Sequence, residues 1–155
     1  LHILLFTMPG VPSIYYGSEW GIEGERTASS DTALRSCLDL AEMQNNSPEH
    51  GLVDSIRKLA DIRMGSHALQ VGEYQQLHVD HHQFAFARWV DEDVVIVVVN
   101  SSDEEVVLDL DVSAYGVDQL VDVLNGEAMI NIEQGKLVFN VHSNWGRVLR
   151  GKGLE

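Results

Sequence analysis

The hydrophobic rhythm of the chain changes near residue 70. Before that point apolar residues recur at helical spacing or in one short run; after it they alternate with polar ones. Leu4, Leu5 and Met8 give a helical pattern over residues 1–8, and Pro9 and Gly10 stop it, one lacking an N–H and the other tolerating positive φ. Residues 11–17 then read as a short apolar strand with Pro12 near its start, and residues 18–21 leave it as a loop. Helix, tight turn, buried strand and loop make the repeating unit of an α/β barrel, whose functional groups collect at the C-terminal ends of strands. Residues 18–47 carry few apolar groups and many turn formers, the mark of a long functional loop, with a short helix over 31–37 capped by Asp31. Ser47 and Pro48 open a helix predicted to run to about Ser66, on which Leu52, Ile56, Leu59, Ala60 and Arg63 form one stripe.

The period-two region predicts eight short strands over 73–79, 83–90, 94–100, 105–112, 119–124, 128–132, 136–141 and 147–150. Turn-forming clusters separate them, and Asn125-Gly126 signals a hairpin with a type I′ turn. Val94 to Val99 has no polar face, so it is expected to be a central strand covered on both sides. The predicted fold class is mainly β: an antiparallel β-sandwich preceded by the remnant βα unit of a (β/α)8 barrel. The predicted boundaries are 1–69 for the barrel-like segment, 70–151 for the sandwich and 152–155 for an appended tail.

Composition narrows the function. The 155 residues carry 10 Lys+Arg against 24 Asp+Glu, a net charge of −14. Phosphate backbones and anionic membranes attract the opposite sign, so nucleic acid and membrane partners are disfavoured. Acids dominate from Glu73 to Asp122, with Arg88 the one base among them; this reads as a solvated surface that keeps strand edges apart. No Asp-x-Asp-x-Asp-Gly loop is present, so Ca²⁺ is not supported and no cofactor is expected. His78, Asp80, His81 and His82 have the chemistry of metal ligands but fall in a turn and read as a polar hairpin tip, so no metal site is assigned. The single cysteine, Cys37, excludes an internal disulfide and has no nearby histidine; it is expected to be partly buried rather than reactive. One cysteine and no leader-like start favour a cytoplasmic location. A chain opening in mid-helix, without an initiator Met, also reads as a piece of something longer.

The stretch Met8-Pro-Gly-Val-Pro-Ser-Ile-Tyr-Tyr-Gly-Ser-Glu-Trp-Gly21 resembles the last barrel strand of the α-amylase family of glycoside hydrolases, whose pattern is roughly PGxPxIYYGxExG. Ser18 stands where that family usually has Asp. The resemblance continues through Ile62-Arg63, Phe84-Ala-Phe-Ala-Arg88, Val97-Val-Val-Asn100 and Arg147-Val-Leu-Arg150, and so covers nearly the whole chain. It implies the C-terminal portion of an α-glucan-acting enzyme, with an α-glucan or maltooligosaccharide as the partner of the parent protein. Retaining glycoside hydrolysis needs two carboxyls on opposite sides of the scissile bond. In the resembled family these sit on earlier barrel strands, so no catalytic residue is assigned here and the chain alone is expected to be inactive.

Four residues are candidates for lining substrate. Asp31-Thr-Ala-Leu-Arg35 resembles an Asp-x-x-x-Arg element that contacts sugars in some family members, and an acid and a guanidinium can accept from and donate to neighbouring hydroxyls. The alternative is a helix cap with a surface ion pair. Glu19 and Trp20 follow the C-terminal end of the predicted strand, where Trp20 could stack on a sugar ring or pack the loop. Tyr15 and Tyr16 are expected on opposite sides of that strand. The alternative function is a non-catalytic carbohydrate-binding or structural sandwich; Trp89 and Trp145, the two sandwich tryptophans, form no aromatic row that would favour it. Residues 1–20, apolar and without their barrel neighbours, are expected to be disordered, to fold onto the sandwich or to pair with a second copy.

Overall fold

The computed structural model describes residues 1–151; the four residues read above as an appended tail lie outside the described residues. Two compact units emerge, one of residues 1–11 with 59 onward, the other of residues 12–58.

The larger unit is the β-sandwich. Its eight strands are β1 (Glu73–Val79), β2 (Gln83–Val90), β3 (Asp93–Asn100), β4 (Val106–Asp111), β5 (Gln119–Asp122), β6 (Ala128–Asn131), β7 (Lys136–Val141) and β8 (Trp145–Gly151). A six-stranded antiparallel sheet runs β1-β2-β3-β8-β5-β6, and β4 pairs with β7 in a second sheet. Alternation sets the faces. Ala85, Ala87, Ile96, Val98 and Leu149 pack between the sheets against Leu108, Leu110, Leu137 and Val141. Their neighbours Phe86, Val95, Val97 and Val148 point to the opposite face. There they meet Ala68 and Leu69 of helix α4 (His67–Val71), and Ile3 and Leu4 of helix α1 (His2–Thr7). β3 is therefore covered on both sides, as its unbroken Val/Ile run requires.

Two buried arginines tie α1 to the sheet, and neither has a carboxylate partner among the described residues. Arg88 Nε donates to Glu73 O (3.1 Å), Nη1 to Thr7 O (2.9 Å) and Leu69 O (3.3 Å), and Nη2 to Gly72 O (2.9 Å). Arg63 Nη1 donates to Phe6 O (2.8 Å) and Met8 O (3.3 Å), and Nη2 to Gly10 O (2.5 Å). The carbonyls at the C-terminal ends of α1 and α4 are orphans of their helices and carry the negative end of the helix dipole. A planar guanidinium with five donors can collect several of them at once. Burial lowers both guanidinium pKa values, and the proximity of Arg63 lowers that of Arg88 further.

Two acids organise the sheet's loops. Asp93 Oδ2 accepts from the Ser66 hydroxyl (2.8 Å) and Ala68 N (2.9 Å), and Oδ1 accepts from Arg150 Nε (2.7 Å). Burial works to raise this carboxyl, but the three donors outweigh it and hold it below the ordinary Asp value. Asp122, fully buried, accepts from Leu124 N, Asn125 N, the Asn125 amide and Arg147 Nη1.

Several expectations change. Residues 11–16 form no strand: a parallel strand exists only through ladder bonds to neighbours, and no segment of the described chain pairs with them. Val11 is 93% exposed as a result. By contrast Phe6 is buried and Ile3, Leu4 and Met8 pack on the sheet, so α1 has partners within its own chain. Asn125-Gly126 does not make a two-residue type I′ turn. The positive φ angles fall at Gly126 (87°) and Glu127 (60°), Glu127 N donates to Asp122 O, and residues 123–127 wrap around the Asp122 carboxylate instead. Pro48 does not open a helix; α3 is Leu52–Met64, and Ser47 instead ends helix α2 (Leu40–Asn46), its hydroxyl paired with His50 Nδ1. α2 went unpredicted because its apolar positions are sparse, yet Asp39 caps it by accepting from Glu42 N (2.9 Å). Cys37 is exposed rather than partly buried.

Candidate functional site

The second unit holds the candidate site residues. Its chain turns at Gly17, whose φ of +92° suits glycine and whose N–H donates to Glu19 Oε2 (2.8 Å). A 3₁₀ turn, Ser18–Trp20, follows, and a second, Thr32–Leu34, lies further on. Asp31 precedes the second turn without capping it through its side chain; its carboxylate instead reaches Arg35 Nη2 at 2.8 Å. The Tyr15 hydroxyl donates to Leu34 O (3.2 Å), which joins the two turns.

Between these turns lies an open hollow of about 430 Å³. Tyr15, Tyr16, Asp31, Leu34, Arg35 and Leu38 are among its walls. The two tyrosine rings sit 5.0 Å apart with planes tilted by 42°. Partial desolvation, then the Tyr15 phenol, raises the Tyr16 pKa above 10, so Tyr16 is a neutral hydrogen-bond donor at physiological pH. The Asp31–Arg35 pair is well exposed, with side chains 45% and 67% accessible. Such a pair contributes at most about 1 kcal/mol to folding, so its partners exchange readily for those of a ligand. Apolar walls, two phenols and an exposed acid–base pair are suited to a polyhydroxylated ring, with its apolar faces and its edge of hydroxyls.

The structure thus brings Asp31 and Arg35 together on one hollow. Glu19 and Trp20 do not line it: Glu19 is spent on the Gly17 turn, and Trp20 is half-buried in the first 3₁₀ turn. Tyr15 and Tyr16, expected to diverge, both face the hollow, because the alternation of a strand does not operate in an unpaired segment. The hydrophobic partners Leu34 and Leu38 were missed; the i, i+4 apolar spacing beside Asp31 and Arg35 was the available signal. Elsewhere, His81 N donates to Asp80 Oδ1 within the hairpin tip, and among the described residues no three His, Cys, Asp or Glu side chains gather as metal ligands would.

The chain thus combines an antiparallel β-sandwich, one sheet face of which is covered by helices, with a loop unit that carries the Asp31–Arg35 pair. Residues 74–143 match the family model described as "Maltogenic Amylase, C-terminal domain". The chain belongs to the α-amylase family, and its sandwich is that family's C-terminal domain. It is 31% identical over 106 residues to a cyclomaltodextrinase of Thermoanaerobacter pseudethanolicus, covering 68% of this chain and 17% of the relative. It is 30% identical over 150 residues to neopullulanase 2 of Thermoactinomyces vulgaris, covering 94% of this chain and 24% of the relative. The fold matches that of the α-amylase from Geobacillus thermoleovorans complexed with acarbose at a TM-score of 0.84, with 18% identity over 99% of this chain and 32% of that one. The chain spans less than a third of the length of each.

Proposed function

We propose that the chain is the C-terminal portion of an α-glucan glycoside hydrolase of the cyclomaltodextrinase and neopullulanase type, in which the sandwich stabilises the catalytic domain and the loop unit touches substrate. The observation that carries the substrate role is the exposed Asp31–Arg35 pair on a hollow walled by Tyr15 and Tyr16. Asp31 accepts from, and Arg35 donates to, hydroxyls on one edge of a glucose unit, while a tyrosine ring takes its face. Glu19 acts one step back by holding the Gly17 turn, and Trp20 flanks it. The names and lengths of the two relatives support an α-glucan-acting parent several times longer than this chain. Chemistry belongs to that parent: retaining hydrolysis needs two carboxyls, which the resembled family carries on earlier barrel strands, so the chain alone is expected to release no reducing sugar from maltodextrin.

The test is calorimetric titration of the chain with maltoheptaose, alongside Asp31→Asn and Arg35→Met. Binding that weakens about tenfold in each variant, with unchanged circular dichroism, supports the assignment. Equal affinity in all three chains refutes it for these residues.

A further inference from the structure

We propose that Asn125 is a conformation-gated deamidation site: the folded β5–β6 connection protects its amide, and opening that connection exposes it to irreversible conversion. Asn125 is followed by Gly126, which has no side chain to hinder its nitrogen and lies exposed at φ +87° with open space where a Cβ would stand. In that pairing the Gly126 nitrogen attacks Asn125 Cγ. The Cγ–Nδ2 bond breaks, ammonia leaves with the Gly126 amide proton, and a succinimide closes. Water then opens either imide carbonyl, giving aspartate or isoaspartate; one water is consumed and one ammonia released overall.

The fold opposes the first step. Asn125 Nδ2 donates to Asp122 Oδ1 (3.2 Å), Asp122 Oδ2 (3.1 Å) and Gly146 O (3.0 Å), and Asn125 N donates to Asp122 Oδ1 (3.1 Å). The leaving nitrogen is thus bound on three acceptors, and the amide plane is fixed away from free rotation. Attack requires these bonds to open, so the rate follows the population of the open turn.

The same contacts make conversion one-way in its consequences. Replacing the amide NH2 by a carboxylate oxygen turns three attractive contacts into repulsions against a fully buried carboxylate and a carbonyl. Isoaspartate adds a methylene to the backbone as well, and Glu127 N can no longer be held on Asp122 O in the same register. A nearby group able to absorb new charge is Arg147, whose Nη1 already serves Asp122 and whose buried Nε has no acceptor among the described residues. The modification therefore records that the turn has been open, and it disfavours closing again.

The chain is incubated at mildly alkaline pH, folded and in denaturing urea, and the aspartate and isoaspartate products at position 125 are quantified by peptide mapping. The folded chain is expected to convert at least about tenfold more slowly than the unfolded one, Gly126→Ala to slow conversion in urea, and sub-denaturing urea to speed it in the wild-type chain. Asp122→Asn is expected to raise the rate in the folded chain alone. If that variant fails to fold, the sub-denaturing series on the wild type carries the same test. Equal rates folded and in urea overturn the gating, and no conversion in urea overturns the site. An Asn125→Asp chain as stable as wild type overturns the one-way consequence and assigns the charge to Arg147.

Discussion

Replacing Arg88 by Met tests whether a counter-ion-free guanidinium holds the helical layer to the sheet. The side chain is 1% exposed and its four hydrogen bonds all end on main-chain carbonyls. Met fills much of the same volume, so the substitution removes donors more than packing. Stranding a buried acceptor costs about 1–3 kcal/mol, and the low end applies because a carbonyl has two lone pairs and some water can follow. Four carbonyls would then lose roughly 4 kcal/mol, offset in part because a buried cation no longer has to be desolvated. The expected net loss is about 3 kcal/mol, a large share of the 5–15 kcal/mol typical of a domain. For a chain of this size that lowers Tm by about 6–12 °C. Urea unfolding followed by circular dichroism should show the midpoint falling with little change in slope. Hydrogen exchange should quicken at Met8 N, which closes the last turn of α1 on Leu4 O, since Thr7 O loses its anchor. Arg88→Lys should recover only part of the loss, because one ammonium cannot span four carbonyls. A Met variant within about 1 kcal/mol of wild type, or a Lys variant equal to it, refutes the reasoning.

Other outcomes follow from the same geometry. Gly72→Ala should destabilise by about 2 kcal/mol in urea melts, because its Cβ would lie 2.5 Å from Ala68 O and 2.6 Å from Trp89 O, both backbone atoms. Asp93→Asn should lower stability at pH 7 by about 1 kcal/mol. The folded Asp93 carboxyl is depressed, so its contribution is present above the ordinary Asp range and lost as pH falls through the folded value. Stability measured between about pH 5 and 3 should therefore fall less steeply in the Asn variant than in wild type. Cys37, exposed and free, should react stoichiometrically with a thiol reagent in the folded chain; protection until unfolding would contradict its placement.

The sandwich was legible in the sequence because its information is local. The predicted bounds of β1, β2 and β7 match to the residue because turn formers bracket each run, and in β7 buried Leu137 and Val141 alternate with exposed neighbours, so one register error would turn them to solvent. The unbroken Val94–Val99 run declared a two-faced burial, and the structure supplies a layer for each face. The predicted helical stripe ended in Arg63, an odd member of an apolar face; burial of Arg63 against the α1 carbonyls explains it. The Asn125-Gly126 turn was misjudged because its shape is dictated by a buried acid at 122, and propensity at two positions says nothing about a carboxylate three residues earlier.

Residues 11–16 show where the local reading stops. Their composition suits a buried parallel strand, but strand identity is a relation between segments rather than a property of one. With no ladder partner in the described chain, the same residues form no strand, Tyr16 already lies in a turn, and side-chain direction follows local turns instead of the pleat. That is why Tyr15 and Tyr16 share one hollow and why Glu19 folds back to the Gly17 N–H. Asp31 and Arg35, by contrast, were legible because four-residue spacing across a single tight turn suffices to bring them to 2.8 Å. The part of the site encoded within one turn was readable from sequence, and the part that depends on pairing between distant segments was not.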